Sequence, residues 1–236
     1  MINNKLDIKN LEGEFKKKKR VLISDFLDEK FAESIYQGFL DLNKRNLWFQ
    51  ANFGNPKGFA KDLNDNFSYK YEKYPLTNID ASDILKTDSR RKDFNNDLNT
   101  ELPEQHQLKQ LSGFLNSSEV FNFMENLTSF KLHQDKLISV ATKYTGGDYH
   151  ATHSDDGRLA FNLFMTRNWL INWGGNLVIL DESCSKVLEN YTPYYNQLLL
   201  FEAPLPHAVL PVSMYSQEER YTITGWYNKI TSSDKI

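Results

Sequence analysis

From about residue 136 onward the chain is a series of short β-type runs separated by turns. They read KLISVATKY, RLAFNLFMT, GGNLVIL, NQLLLFEA, HAVLPV and RYTITGWY. Repeated short strands with no helical runs between them predict a sandwich or barrel of the jelly-roll type. No internal repeat or low-complexity block interrupts the series. This pattern restricts the fold more than any other feature of the sequence.

The first part of the chain reads differently. In DEKFAESIYQGFLDLNKR the apolar residues Phe31, Ile35, Phe39 and Leu42 recur at helical spacing. Asp28 can cap the start, and Lys44 and Arg45 suit the end. A second helix is expected over 118–128, with Ser118 as cap and Val120, Phe121, Met124 and Leu127 on one face. VLISDFL reads as a short strand, and the basic run FKKKKR before it as a solvated lead-in to that strand. Residues 51–100, rich in Asn, Asp, Lys and Tyr, read as loops with short elements; GNPKG at 54–58 is turn chemistry. The expectation is an α+β chain forming one domain over 1–236. Residues 1–135 would be mostly helical and loop support, and 136–229 the β core.

Composition limits the function classes. The chain carries 28 Lys and Arg against 31 Asp and Glu, a net charge of −3, so nothing general favours nucleic acid or an anionic membrane as partner. One cysteine, Cys184, leaves no intramolecular disulfide and no multi-cysteine zinc site. The start MINNKLDIKN has no apolar signal core, and no run is long enough to span a bilayer. The expectation is a soluble, cytoplasmic protein.

The stretch YHATHSDDGRLAFNLFM, residues 149–165, carries the chemistry. In an extended strand alternate side chains share a face, so His153 and Asp155 can reach one metal ion. Such a pair is common by chance. A non-haem iron site needs a second histidine, giving two imidazoles and a carboxylate on one face of the ion. Of the five histidines, only His207 lies in a later strand of the β part; His106 and His133 suit the surface. His150 is an odd number of positions from His153 and faces away in a regular strand. Asp156 likewise points opposite to Asp155, and Asp148 suits a turn. In RYTITGWY, Arg220, Thr222 and Thr224 share one face, and Tyr221, Ile223 and Gly225 the other. Two threonines beside an arginine suit an inward-facing pocket. An arginine there could bind a carboxylate through two parallel hydrogen bonds. Trp226 and Phe201 read as core. Gly174 and Gly175 suit a close turn.

In their order, H-x-D, Gly174-Gly175-x-Leu177, His207 and R-Y-x-I-x-G-W resemble the iron(II)- and 2-oxoglutarate-dependent oxygenases of the prolyl-hydroxylase class. The pattern is most similar to the prolyl 3- and 4-hydroxylases that modify a ribosomal protein, and related to the oxygen-sensing prolyl hydroxylases. The resemblance spans roughly residues 136–229, and RVLISDFLDEKFAESIYQGFL is similar to the family's lead-in. It implies a double-stranded β-helix core with supporting N-terminal helices. His153, Asp155 and His207 would bind iron(II), and Arg220 would pair with the distal carboxylate of 2-oxoglutarate. Tyr144 matches a tyrosine that hydrogen-bonds the cosubstrate, and Asn162 and Thr222 would line the pocket. Dioxygen is the other cosubstrate, with ascorbate as a reductant. The implied activity is hydroxylation of an unactivated C–H, of a prolyl residue in a protein or peptide. The alternatives are a free amino acid or small metabolite as substrate, or a sensor module that binds metal and 2-oxoglutarate without turnover. Two departures stand out. Phe164-Met165 replaces a tyrosine–leucine pair, removing a hydroxyl, and the chain ends soon after GWYNK, where those relatives carry a second β domain.

Overall fold

The computed structural model describes residues 1–53, 69–76, 102–134, 137–155 and 158–230. Among them are four α-helices: α1 (Ile8–Lys18), α2 (Glu29–Lys44), α3 (Gln107–Leu115) and α4 (Ser118–Thr128). In α2 the Asp28 side chain accepts from the Phe31 amide at 3.0 Å, and Ile35, Phe39 and Leu42 are buried along the expected stripe. In α4 the cap is Ser117, one residue earlier than expected, and Val120, Phe121, Met124 and Leu127 are buried as anticipated. The basic run differs from expectation: Lys16, Lys17 and Lys18 form the last turn of α1, and only Arg20 enters a strand. A helix C-terminus is where the backbone dipole favours cations, and Phe15 anchors the same turn in the core. His106, expected at the surface, is buried. Its Nδ1 accepts from the Leu108 amide at 3.2 Å to cap α3, and its Nε2 lies 3.2 Å from an Asp41 carboxylate oxygen on α2.

Eleven strands follow in the described residues. They are β1 (Arg20–Ser24), β2 (Phe49–Phe53), β3 (Tyr69–Pro75), β4 (Ile138–Tyr144), β5 (Tyr149–His153), β6 (Leu159–Phe164), β7 (Leu177–Leu180), β8 (Val187–Tyr191), β9 (Gln197–Glu202), β10 (His207–Val209) and β11 (Arg220–Tyr227). They pair antiparallel in the order β1-β9-β6-β11-β4-β3-β5-β10-β7-β8, with β2 added to β3. At the two ends of that order, Arg20 on β1 donates from Nε and Nη2 to both carboxylate oxygens of Glu189 on β8, at 2.8 and 3.0 Å. The sheet is therefore rolled so that its ends meet, as in a double-stranded β-helix. β3, from the segment expected to be mostly loop, sits between β4 and β5.

Strand parity sorts the core. Leu159, Phe161 and Leu163 of β6, Leu198 and Leu200 of β9, and Tyr221 and Ile223 of β11 pack in one cluster with the helix stripes. Their neighbours Ala160, Phe164, Leu199 and Phe201 turn inward, toward Leu177 and Ile179 of β7. Each Leu or Phe so withdrawn from water contributes about 1.5–3 kcal/mol. The helices thus cover the outer face, and the inner face is left to enclose a site. No helix in the described residues is long and apolar enough to cross a membrane.

Candidate metal centre

β5 ends on His153, and β10 begins on His207; the antiparallel register sets these two residues opposite each other. Their ring centroids are 4.1 Å apart. Asp155, two residues beyond His153, brings an Oδ2 to 3.7 Å from His207 Nε2. One potential ligand atom from each of His153, Asp155 and His207 lies within 4.8 Å of the others, the only such grouping among the described residues. Asp156 lies outside the described residues.

The hydrogen bonds of the two imidazoles fix which nitrogen is available. His153 Nδ1 is 2.9 Å from the Ala151 carbonyl, and His207 Nδ1 is 2.7 Å from the Leu205 carbonyl. A carbonyl only accepts, so each Nδ1 carries the proton and each Nε2 presents a lone pair. Burial pushes the His153 imidazolium down to about 4, with His207 adding to the effect, and burial also lowers His207. Both rings are neutral near pH 7, the form a metal requires. Two neutral imidazoles and a carboxylate are the donor set of a non-haem iron(II) site, so the residues fit such an ion.

A cavity of about 160 Å³ opens beside the triad, with Tyr144, Asn162 and Trp226 in its wall. Asn162 Oδ1 accepts from Thr224 Oγ1 at 2.9 Å. Arg220 and Thr222 do not line this cavity; the Arg220 guanidinium stacks 4.6 Å from the ring of Tyr144, which does. Phe164 packs on the guanidinium at 5.5 Å, where the expected pattern has a tyrosine. Arg220 is 1% exposed. Its Nε donates to the Gly175 carbonyl at 2.7 Å and its Nη1 to Thr222 Oγ1 at 2.9 Å, while Nη2 is buried with no hydrogen-bond partner. Burial pushes this guanidinium down to about 10, and Tyr144 up to about 12. A buried cation with a spare donor fits a carboxylate ligand. Gly174 and Gly175 both have positive φ; a Cβ on Gly175 would stand 3.0 Å from Arg220 Cδ. The double glycine is thus a turn, as expected, and also lets the backbone close over the arginine.

Two residues depart from the sequence reading. His150 lines the cavity and stacks on His153, with centroids 3.9 Å apart and planes 17° off parallel. The register explains it. His207 pairs with His153 and Val209 with His150, so two steps on β10 span three on β5, and this irregularity shifts the parity that would turn His150 away. Trp226, read as core, donates from Nε1 to Asp155 Oδ2 at 2.7 Å. Its signal was present: it shares the parity of Arg220, Thr222 and Thr224. Phe201 is core as expected, with its ring 5.0 Å from His207. Asp148 takes its expected turn role, accepting from the Thr145 amide at 2.8 Å.

The sequence of residues 139–228 matches the family described as the 2OG-Fe(II) oxygenase superfamily. No curated protein matches significantly. Among solved structures, the fold is similar to a Trichoplax adhaerens prolyl hydroxylase in complex with a hypoxia inducible factor oxygen degradation domain peptide fragment. The TM-score is 0.60 and the identity 19%, over 94% of this chain and 88% of that one. It is also similar to a 2OG-Fe(II) oxygenase family oxidoreductase from Burkholderia pseudomallei, with TM-score 0.62 and 10% identity, over 97% and 93%. A third is the epimerase SnoN in complex with Fe3+, alpha ketoglutarate and nogalamycin RO, with TM-score 0.57 and 10% identity, over 94% and 83%. At these identities the likeness is one of fold. The rolled sheet and the His-Asp-His grouping agree with that family match, which covers residues 139–228.

Proposed function

We propose that this chain is an iron(II)- and 2-oxoglutarate-dependent dioxygenase that hydroxylates a prolyl residue in a protein or peptide. In this reading His153, Asp155 and His207 hold the iron, and Arg220 receives the distal carboxylate of 2-oxoglutarate beside Tyr144, Asn162 and Thr222. The observation that carries it is the pairing of two neutral imidazoles and a carboxylate with a buried arginine that keeps one donor unspent. When bound, iron and 2-oxoglutarate supply oxidative decarboxylation coupled to attack on an unactivated C–H. The side chains bind and orient: the Nδ1–H bonds to Ala151 and Leu205 aim both Nε2 atoms, and the apolar walls of Leu177 and Val209 exclude water. No acid or base among them is required.

The prolyl substrate is supported by the sequence resemblance to ribosomal and oxygen-sensing prolyl hydroxylases and by the likeness to a hydroxylase solved with a peptide. A small-molecule substrate is the second reading, favoured by the likeness to an epimerase solved with nogalamycin RO. Anaerobic titration of apoprotein with iron(II), with and without 2-oxoglutarate, tests the centre through its visible charge-transfer absorbance. A saturable band that is lost in His153→Ala is expected. A folded protein with no band overturns the reading and leaves a binding module. Turnover of proline-containing peptides against free amino acids then separates the two substrate classes.

A further inference from the structure

Asp155 lies beyond the end of β5, so no ladder bond of that strand holds it. Its carboxylate is oriented instead from across the barrel. Trp226, on β11, donates its indole N–H to Asp155 Oδ2 at 2.7 Å, and the same oxygen lies 3.7 Å from His207 Nε2. An indole N–H donates one bond and accepts none, so the contact has a single polarity and a single direction. The indole itself has little freedom: its backbone pairs with Ile138 of β4 on one side and Ala160 of β6 on the other, and its ring packs against the inward cluster that includes Phe201 and Leu199.

We propose that Trp226 is the positioning residue of the metal centre. Its N–H stops rotation of the Asp155 carboxylate and keeps one oxygen turned toward His207. The inference rests on the ligand assignment made above. It differs from a packing role, which the indole's shape alone would satisfy, because it depends on one hydrogen atom.

The test uses the full chain with β-(3-benzothienyl)alanine incorporated at position 226, which retains the bicyclic shape and replaces N–H by sulfur, and Trp226→Phe as a second variant. Cobalt(II) alone is the probe, because its ligand-field spectrum reports the arrangement of donors. The variants should bind cobalt about 10- to 100-fold more weakly than the parent protein, the range found when a partner that orients a metal ligand is removed. Their cobalt spectra should change, and the metal-free benzothienyl protein should remain folded, with a single cooperative melting transition. Parent-like affinity and spectrum in the benzothienyl protein would overturn the inference while leaving the ligand assignment intact. A parent protein that takes up no cobalt would overturn both.

Discussion

Arg220→Met should separate folding from cosubstrate binding. Burial holds the Arg220 guanidinium down to about 10. That displacement from its ordinary value corresponds to about 3 kcal/mol against the charged form in the folded state. Methionine removes the charge and keeps an unbranched stem between Tyr144 and Phe164. Against this gain stand two lost hydrogen bonds, to the Gly175 carbonyl and Thr222 Oγ1. Bonds of this charge-assisted kind contribute about 1.5–3 kcal/mol each. The terms oppose one another, so the metal-free variant should lose between nothing and about 3 kcal/mol of unfolding free energy, and remain folded. Binding of 2-oxoglutarate has no such compensation. Removing one partner of a buried charge pair costs about 2–5 kcal/mol, equivalent to roughly 30- to 5,000-fold in affinity. Calorimetric titration of the manganese(II)-loaded protein with 2-oxoglutarate measures this loss, and urea denaturation of the metal-free protein measures the first term. Arg220→Lys, which keeps a charge but not the planar fork, should fall between the two. A folded Arg220→Met protein that binds 2-oxoglutarate within about threefold of the parent would refute the assignment of Arg220 as the carboxylate partner.

Two further predictions concern the surroundings of the site. Burial lowers His153, His207 and His106 below the ordinary imidazole value, so the fold holds them neutral while the unfolded chain takes up protons first. Stability of the metal-free protein should therefore be level above about pH 7. It should fall as pH drops through the ordinary histidine range toward about 4, at up to about 1.4 kcal/mol per pH unit for each histidine. Scanning calorimetry across that range checks the sign, and a melting temperature that rises on acidification would refute it. Gly175→Ala should destabilise by about 1–3 kcal/mol, because φ is +65° there and the new methyl would stand 3.0 Å from both Arg220 Cδ and Val212 Cγ2. It should also weaken 2-oxoglutarate binding by displacing the arginine; parent-like denaturation and affinity together would argue that the loop yields freely.

The jelly roll was legible because its strands obey the period of two. Leu159, Phe161 and Leu163 part from Ala160, Asn162 and Phe164 by parity alone, and the same count sets Arg220 with Thr222, Thr224 and Trp226. What the count misjudged shares one physical origin: a partner distant in sequence. His106 is buried because α2 supplies Asp41 as its partner. β3 enters the sheet without the strong alternation that identifies a strand, because its place depends on pairing with β4 and β5. His150 faces the cavity because the register between β5 and β10 slips by one residue just before the first histidine of the triad. A regular strand could not set His150 and His153 on one wall; an irregular one can, and such irregularities concentrate where a site must be built. Trp226 is the complementary case, legible in position but not in role. Parity puts its ring inside the barrel, yet only the fold brings Asp155, 71 residues earlier in the chain, under its N–H. The residues closest to the chemistry are thus where counting along one strand runs out, because each is defined by what a second strand brings to it.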